Sequence, residues 1–169
     1  MSDRSRIAVA TIRAALAAAC VVASGAIAHG QDPGATPPKD AIFARKTLMG
    51  AIDMNMDELE TMLAPGGRAD AAEAREHADT ISIMLMVFPH LFPAGTNQWK
   101  PNVDRDPAID TFASPEVWAN FADFYQRAAA ASKLALDASH AKHGDEFRAL
   151  IAQLRAACNS CHQAYQKSD

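Results

Sequence analysis

The chain has 169 residues, three of them cysteine, and a formal net charge of −4. This length fits a single domain of ordinary size with one hydrophobic core. The acidic balance gives no electrostatic basis for binding nucleic acid or an anionic membrane surface, so neither is expected as a partner.

The N-terminal segment has the pattern of a secretory signal peptide. A short basic stretch precedes the apolar residues 7–28, which end in the small-x-small sequence Ala26-Ile27-Ala28. We predict that residues 1–28 are removed and that the mature chain is periplasmic, with 13 basic and 19 acidic side chains and a formal charge of −6. Arg13 leaves an uninterrupted apolar segment of only about 15 residues, too short to span a bilayer as a helix, so no membrane span is predicted.

Cys20 lies within the predicted signal peptide, and a proline- and glycine-containing stretch follows that peptide. Leu16 and Cys20 loosely resemble a lipoprotein signal, but the leucine lies one position too far from the cysteine, so lipid anchoring at Cys20 is not expected. Residues 29–39 contain three prolines and two glycines. They predict a flexible leader before a folded domain at residues 40–167.

Within this domain, apolar residues recur at alternating spacings of three and four, which predicts an all-α fold of packed helices. The first predicted helix ends at Pro65-Gly66-Gly67 and turns these residues inward: Ile42, Arg45, Met49, Ile52, Met56, Leu59 and Leu63. The second stops at Pro89 and turns inward Ala74, Ala78, Ile81, Leu85 and Phe88. The proline-rich residues 92–115 predict a long crossover loop without regular structure.

Two further helices follow the crossover. Ser114, Pro115 and Glu116 supply an N-cap, a first-turn proline and an acid that suits the helix dipole, so a third helix is predicted to begin there. It turns inward Val117, Phe121, Phe124, Ala128 and Ala131, and ends near His143-Gly144; the fourth turns inward Phe147, Ile151, Leu154, Cys158, Cys161 and Tyr165. Short first and third connections predict an antiparallel four-helix bundle, whose cofactor site is built from inward-facing side chains.

The last helix carries the motif C-x-x-C-H at residues 158–162. This motif indicates one covalent haem c, with thioethers from Cys158 and Cys161 and with His162 as the proximal iron ligand. A redox disulfide or half of a zinc site would use the same thiols. Neither fits well, because no βαβ pattern is present and the nearby His140 and His143 are expected to be solvated.

Two residues of the first helix are candidates for the opposite side of the haem. Arg45 occupies an inward position among apolar residues, and a guanidinium enters a core only with an anion, for which a haem propionate is the obvious candidate; the alternative is a side chain that extends to the surface. Met49 lies one turn later and could present its sulfur to the iron, or merely fill the core. The other methionines of the domain (Met54, Met56, Met62, Met84 and Met86) make the residue type uninformative, and His77 and His90 are weaker candidates.

Four segments taken together resemble the cytochrome c′ family. They are the C-terminal C-x-x-C-H, Arg-Lys-Thr-Leu-Met at 45–49, Phe-Pro-His-Leu-Phe-Pro-Ala-Gly-Thr at 88–96 and Pro-Glu-Val-Trp at 115–118. The resemblance covers residues 40–167 and is greatest to the low-spin, methionine-ligated cytochrome c-556 branch. Since this family is itself an established example of the up-down-up-down bundle, it is the resemblance that implies this topology.

The resemblance also implies a function. Relatives with methionine at the position of Met49 resemble six-coordinate, low-spin electron carriers, whereas relatives with a non-ligating side chain are five-coordinate and bind nitric oxide or carbon monoxide. The leading hypothesis is therefore a periplasmic electron carrier and not an enzyme, with Met49 as the distal ligand, Arg45 on a propionate and unidentified redox partners. A gas-binding protein is the alternative, and a homodimer is neither demanded nor excluded. One departure is Gln166, where many relatives have a basic residue.

Overall fold

The computed structural model describes residues 37–68, 70–106 and 108–167. The predicted signal peptide, Cys20 and residues 29–36 of the predicted leader lie outside these ranges. Every regular element described is helical, apart from one isolated bridge between Ala113 and Gln166. None of the described helices combines the length and apolar character needed to cross a membrane.

Four long helices form the predicted antiparallel bundle. They are α1 (Pro38–Leu63), α2 (Ala71–Val87), α4 (Phe121–Ser139) and α5 (Gly144–Tyr165), and a single turn of helix, α3 (Glu116–Ala119), precedes α4. The first helix thus begins two residues before the predicted start of the domain. The segment between α2 and α3 begins with a 3₁₀ turn, Phe88–Leu91, at the point where the second helix was predicted to stop. A second 3₁₀ turn, Ala94–Thr96, lies within residues 92–115, where a loop without regular structure was predicted.

The helix ends show why the chain turns where it does. The Asp70 carboxylate accepts hydrogen bonds from the backbone N–H groups of Ala72 (2.8 Å) and Glu73 (3.2 Å), which caps the start of α2. Gly66, after the end of α1, has a φ of 82°, which glycine adopts without steric cost. Acidic residues in the first turn of α5 suit its helix dipole.

The predicted third helix is divided in two at Asn120, and two predictions about this region are wrong. Asn120 has φ −124° and ψ 41°, outside the helical region, so the inward face shifts between α3 and α4. Phe121, predicted to face inward, is 40% exposed, whereas Val117 before the break and Phe124 after it are buried. The Ser114 side chain makes no capping hydrogen bond, because Pro115 occupies the N-cap position of α3.

Two groups of buried side chains fill the bundle. The main cluster joins all four long helices and includes Leu59, Ala78, Ile81, Ala135 and Leu154, each fully buried. The second cluster is largely aromatic and consists of Phe88, Phe92, Val117, Phe124 and Tyr165. Leu48 and Met49 of α1 pack against both clusters, so this turn of α1 lies at their junction.

Candidate functional site

A cavity of about 530 Å³ opens where the two clusters meet, between α1, α4 and α5. Its volume falls within the range of about 300–1,000 Å³ that is usual for cofactor pockets. All five residues that the sequence proposed for the site line it: Arg45, Met49, Cys158, Cys161 and His162. Much of the remaining wall is apolar and includes Ile52, Leu85, Phe88, Phe92, Val117, Phe124 and Ala131.

The two cysteines are half-buried on α5, one turn apart. Cys158 packs against the main cluster and Cys161 against the second, so both thiols lie along the same side of the cavity. Burial raises the pKa of Cys158, and it raises the pKa of Cys161 to about 11, with the neighbouring Cys158 as a second cause. A raised pKa disfavours the thiolate, which is the form that a reactive dithiol requires.

A zinc site at Cys158 and Cys161 would need two further ligands, which the described residues do not supply. In the part of the chain that the structure describes, no three side chains among His, Cys, Asp and Glu come together as a metal site. His140 and His143 therefore do not complete a zinc site with the cysteines, since structural zinc requires four ligands.

His162 follows Cys161 directly and lines the same cavity. Desolvation lowers the pKa of His162, and the nearby Asp53 carboxylate opposes this shift. A lowered pKa favours the neutral imidazole, which is the form that binds a metal.

Most of the side chains that could compete with Met49 as an iron ligand do not line the cavity. His77 Nδ1 is 2.7 Å from Asn55 Oδ1, the His90 ring contacts Tyr125, and neither histidine lines the cavity. Among the methionines that the structure describes, Met49 and Met56 line it and the others do not. Met56 is 1% exposed within the main cluster, whereas Met49 is half-buried at the junction of the two clusters.

The Arg45 side chain is buried, with 3% of its surface exposed, so the alternative of a side chain extended to the surface is wrong. Its guanidinium donates to Thr96 Oγ1 (3.1 Å), to the Thr96 carbonyl (3.3 Å) and to Thr111 Oγ1 (2.6 Å). All three acceptors are neutral, and burial lowers the pKa of Arg45 to about 10. A cation buried in this way beside an apolar cavity is suited to an anionic group of the ligand.

Three further cations line the cavity that the sequence did not indicate. Arg155 contacts three carboxylates of α1, at 2.6 Å (Glu60), 3.6 Å (Asp57) and 3.8 Å (Asp53). Lys46 donates from Nζ to the Asp110 carbonyl at 2.9 Å. The third cation is Arg127 of α4.

Arg127 of α4 contacts the C-x-x-C-H motif. It donates to Asp123 Oδ2 (2.6 Å) and to the hydroxyl of Ser160 (3.0 Å), which lies between the two cysteines. The Tyr165 hydroxyl donates to the same Asp123 oxygen at 2.5 Å. The sequence did not single out these cations, because charged residues on a helix are usually solvated. Arg155 alone had a positional hint, since it lies one turn before Cys158.

A family model described as Cytochrome C' matches residues 40–166. The chain belongs to the cytochrome c′ family. It is 29% identical over 161 residues to cytochrome c-556 of Agrobacterium fabrum, and the match covers 92% of this chain and 94% of that protein. Cytochromes of this family bind covalent haem c, so haem c is the cofactor of this chain.

Solved structures agree with this assignment. The fold superimposes on cytochrome c prime from Shewanella frigidimarina with a TM-score of 0.67 and 25% identity, covering 79% of this chain and 99% of that one. It superimposes on the NMR-validated structural model for oxidised R. palustris cytochrome c556 with a TM-score of 0.64 and 25% identity, covering 77% and 98%. The predicted family and the four-helix bundle are both confirmed.

Proposed function

We propose that this cytochrome carries single electrons with a six-coordinate haem iron. Cys158 and Cys161 would hold the haem through thioethers, His162 would be the proximal ligand and Met49 the distal ligand. The observation that carries the proposal is that one cavity brings together these four side chains and Arg45. The cofactor supplies one-electron chemistry at its iron, and the protein supplies attachment, axial ligands and electrostatic surroundings.

The placement of Met49 supports its role as the distal ligand. It lines the cavity from α1, while the attachment motif lines the cavity from α5. It also lies one helical turn after Arg45, so a single face of α1 offers a cation and a thioether to the same ligand. Met56 also lines the cavity, but it is packed into the main cluster with only 1% of its surface exposed.

The apolar wall supports electron transfer over catalysis. Aromatic rings surround one side of the cavity, and Phe92 packs edge-on against Phe88 (5.1 Å between centroids) and Phe124 (4.8 Å). Such a wall limits access of water and fixes the surroundings of the cofactor, which are two of the means by which proteins tune a reduction potential. We expect no enzymatic activity.

The distal ligand is tested by the optical spectra of ferric and ferrous holoprotein, with and without carbon monoxide. Wild-type protein should be low-spin and change little with carbon monoxide. Met49→Leu should become high-spin and bind the gas readily. Met56→Leu is the matched control, because it removes the other cavity-lining thioether and should leave the spectrum low-spin.

A high-spin wild-type protein would favour gas binding over electron transfer. A high-spin wild-type spectrum that shifts strongly with carbon monoxide, and that Met49→Leu does not alter, would indicate an open sixth position. The protein would then be a nitric oxide or carbon monoxide binder.

Localisation and partners belong to the same proposal. Export by the predicted signal peptide would place the holoprotein in the periplasm, where it would exchange electrons with redox proteins. A homodimer is compatible with the exposed Phe43 and Met54 on α1, which are 69% and 71% exposed. Fractionation of cells that express the full chain tests the periplasmic localisation, since a haem-bearing protein in the cytoplasm would contradict it.

A further inference from the structure

The segment between α2 and α3 encloses the guanidinium of Arg45. Thr96 lies at the end of the second 3₁₀ turn, and Thr111 lies fifteen positions later near the end of the segment. Both are buried, with 1% and 5% of their surfaces exposed. Their hydroxyl oxygens accept hydrogen bonds from different nitrogens of Arg45, Nη1 for Thr96 and Nη2 for Thr111.

Neighbouring backbone groups fix the two hydroxyls in orientations that suit this role. Thr96 Oγ1 donates its proton to the Pro93 carbonyl at 2.8 Å, so its lone pairs are left for Arg45. Thr111 Oγ1 also accepts from the backbone N–H of Ala113 at 3.1 Å. The hydrogen-bond geometry of both threonines is therefore set by the segment itself and is not an incidental contact with a long side chain.

Two aromatic rings complete the surroundings of the cation. The Arg45 guanidinium carbon lies 4.8 Å from the ring centroid of Phe92 and 5.5 Å from that of Trp118. The Trp118 indole is held in turn, because its Nε1 donates to the carbonyls of Phe92 and Pro93, both at 3.2 Å. Ring faces attract a cation and leave its formal charge uncompensated.

We propose that Thr96 and Thr111 are positioning residues that hold the charge of Arg45 at a haem propionate and thereby raise the reduction potential. The inference rests on the proposed function, because it takes Arg45 as the propionate contact. A positive charge beside the haem stabilises the ferrous state, which carries one positive charge less than the ferric state, so its loss or displacement lowers the potential. The hydroxyls add no charge of their own, so their effect acts through Arg45.

The test is a double-mutant cycle on the reduction potential of the holoprotein. Thr111→Val keeps the side-chain shape and removes the shorter of the two hydroxyl contacts to Arg45. It should lower the potential by part of the shift that Arg45→Met produces, and it should produce no further shift in the Arg45→Met background. Thr111→Ser restores an acceptor and should restore the potential, and Thr96→Val should shift it in the same direction as Thr111→Val.

A matched control separates positioning from loss of a buried hydroxyl. Ser132 is buried between α2 and α4, where its hydroxyl donates to the Ser82 carbonyl at 2.8 Å, and it does not line the haem cavity. Ser132→Ala should lower the stability and leave the potential unchanged.

The potentials of these variants distinguish a failure of the threonine positioning role from a failure of the Arg45–propionate contact. A potential that Arg45→Met lowers and that Thr111→Val and Thr96→Val leave unchanged would overturn the positioning role alone. So would a Thr111→Val shift that persists in the Arg45→Met background. An unchanged potential in Arg45→Met would remove the propionate contact itself.

Discussion

Arg155 joins α5 to α1 across one edge of the haem cavity, and its removal should loosen this edge. The side chain is 29% exposed and makes one close pair with Glu60 (2.6 Å) and two longer contacts with Asp57 (3.6 Å) and Asp53 (3.8 Å). Partly exposed ion pairs contribute about 0.2–1 kcal/mol each. Arg155→Gln also leaves three carboxylates of α1 without their shared cation, so we expect the free energy of unfolding to fall by about 1–2 kcal/mol.

The assay is urea unfolding of the holoprotein at low ionic strength and again in about 1 M salt, where charges are screened beyond roughly 3 Å. The control is Lys133→Gln. Lys133 pairs with Asp137 at 2.6 Å within α4 and joins no other helix, so it should contribute no more than about 0.5 kcal/mol. If Arg155→Gln loses no more stability than Lys133→Gln, or if the difference between them survives high salt unchanged, the ion pairs of Arg155 do not hold this edge together.

Three further predictions concern the cofactor and its surroundings. Arg45→Met should lower the reduction potential by tens of millivolts, because a positive charge that would favour ferrous iron is lost at an effective dielectric constant of about 20, and an unchanged potential in a spectroelectrochemical titration would contradict it. Cys158→Ala and Cys161→Ala should each retain haem through one thioether, and the double variant should lose all haem staining after denaturing electrophoresis; retained staining would exclude these attachment points. The Tyr165 hydroxyl, followed by Arg127, lowers the pKa of Asp123, so the stabilisation is present above the ordinary carboxyl pKa and is lost as pH falls through the folded-state value. Tyr165→Phe should therefore weaken the loss of stability below about pH 4, measured by unfolding at several pH values, and an unaltered acid profile would argue against this.

The sequence was sufficient for the parts of the site that lie on long helices. Arg45 and Met49 share a face because residues four apart in an α-helix lie one turn apart, and this holds wherever the helix is unbroken. The attachment motif continues the inward face of α5 for the same reason. Periodicity therefore predicted which side chains meet in the cavity, whereas their roles toward the haem remain predictions.

Where the periodicity is interrupted, sequence reasoning failed. Asn120 leaves the helical region between α3 and α4, so the spacing that correctly selected Val117 and Phe124 wrongly placed Phe121 inward. Thr96 and Thr111 were not anticipated, because they lie in a segment without a repeating pattern and meet only through Arg45, which is distant in sequence. Contacts of this kind depend on the path of a loop, which the spacing of apolar residues does not encode.

Arg127 and Arg155 were missed for a different reason, which concerns charge and not periodicity. Isolated charges on amphipathic helices are usually solvated, and both residues do keep acidic partners at the surface. Their long side chains nevertheless reach the wall of the cavity. Only the positions of neighbouring helices show that a charge at such a site reaches the cavity.

Met49 and His162 are the two side chains proposed as axial ligands of the haem iron. The most direct test is the near-infrared absorption spectrum of the unmodified ferric holoprotein. We predict a sulfur-to-iron charge-transfer band that is absent from Met49→Leu and present in Met56→Leu. A ferric protein without this band, or one whose band survives in Met49→Leu, would contradict ligation of the iron by Met49.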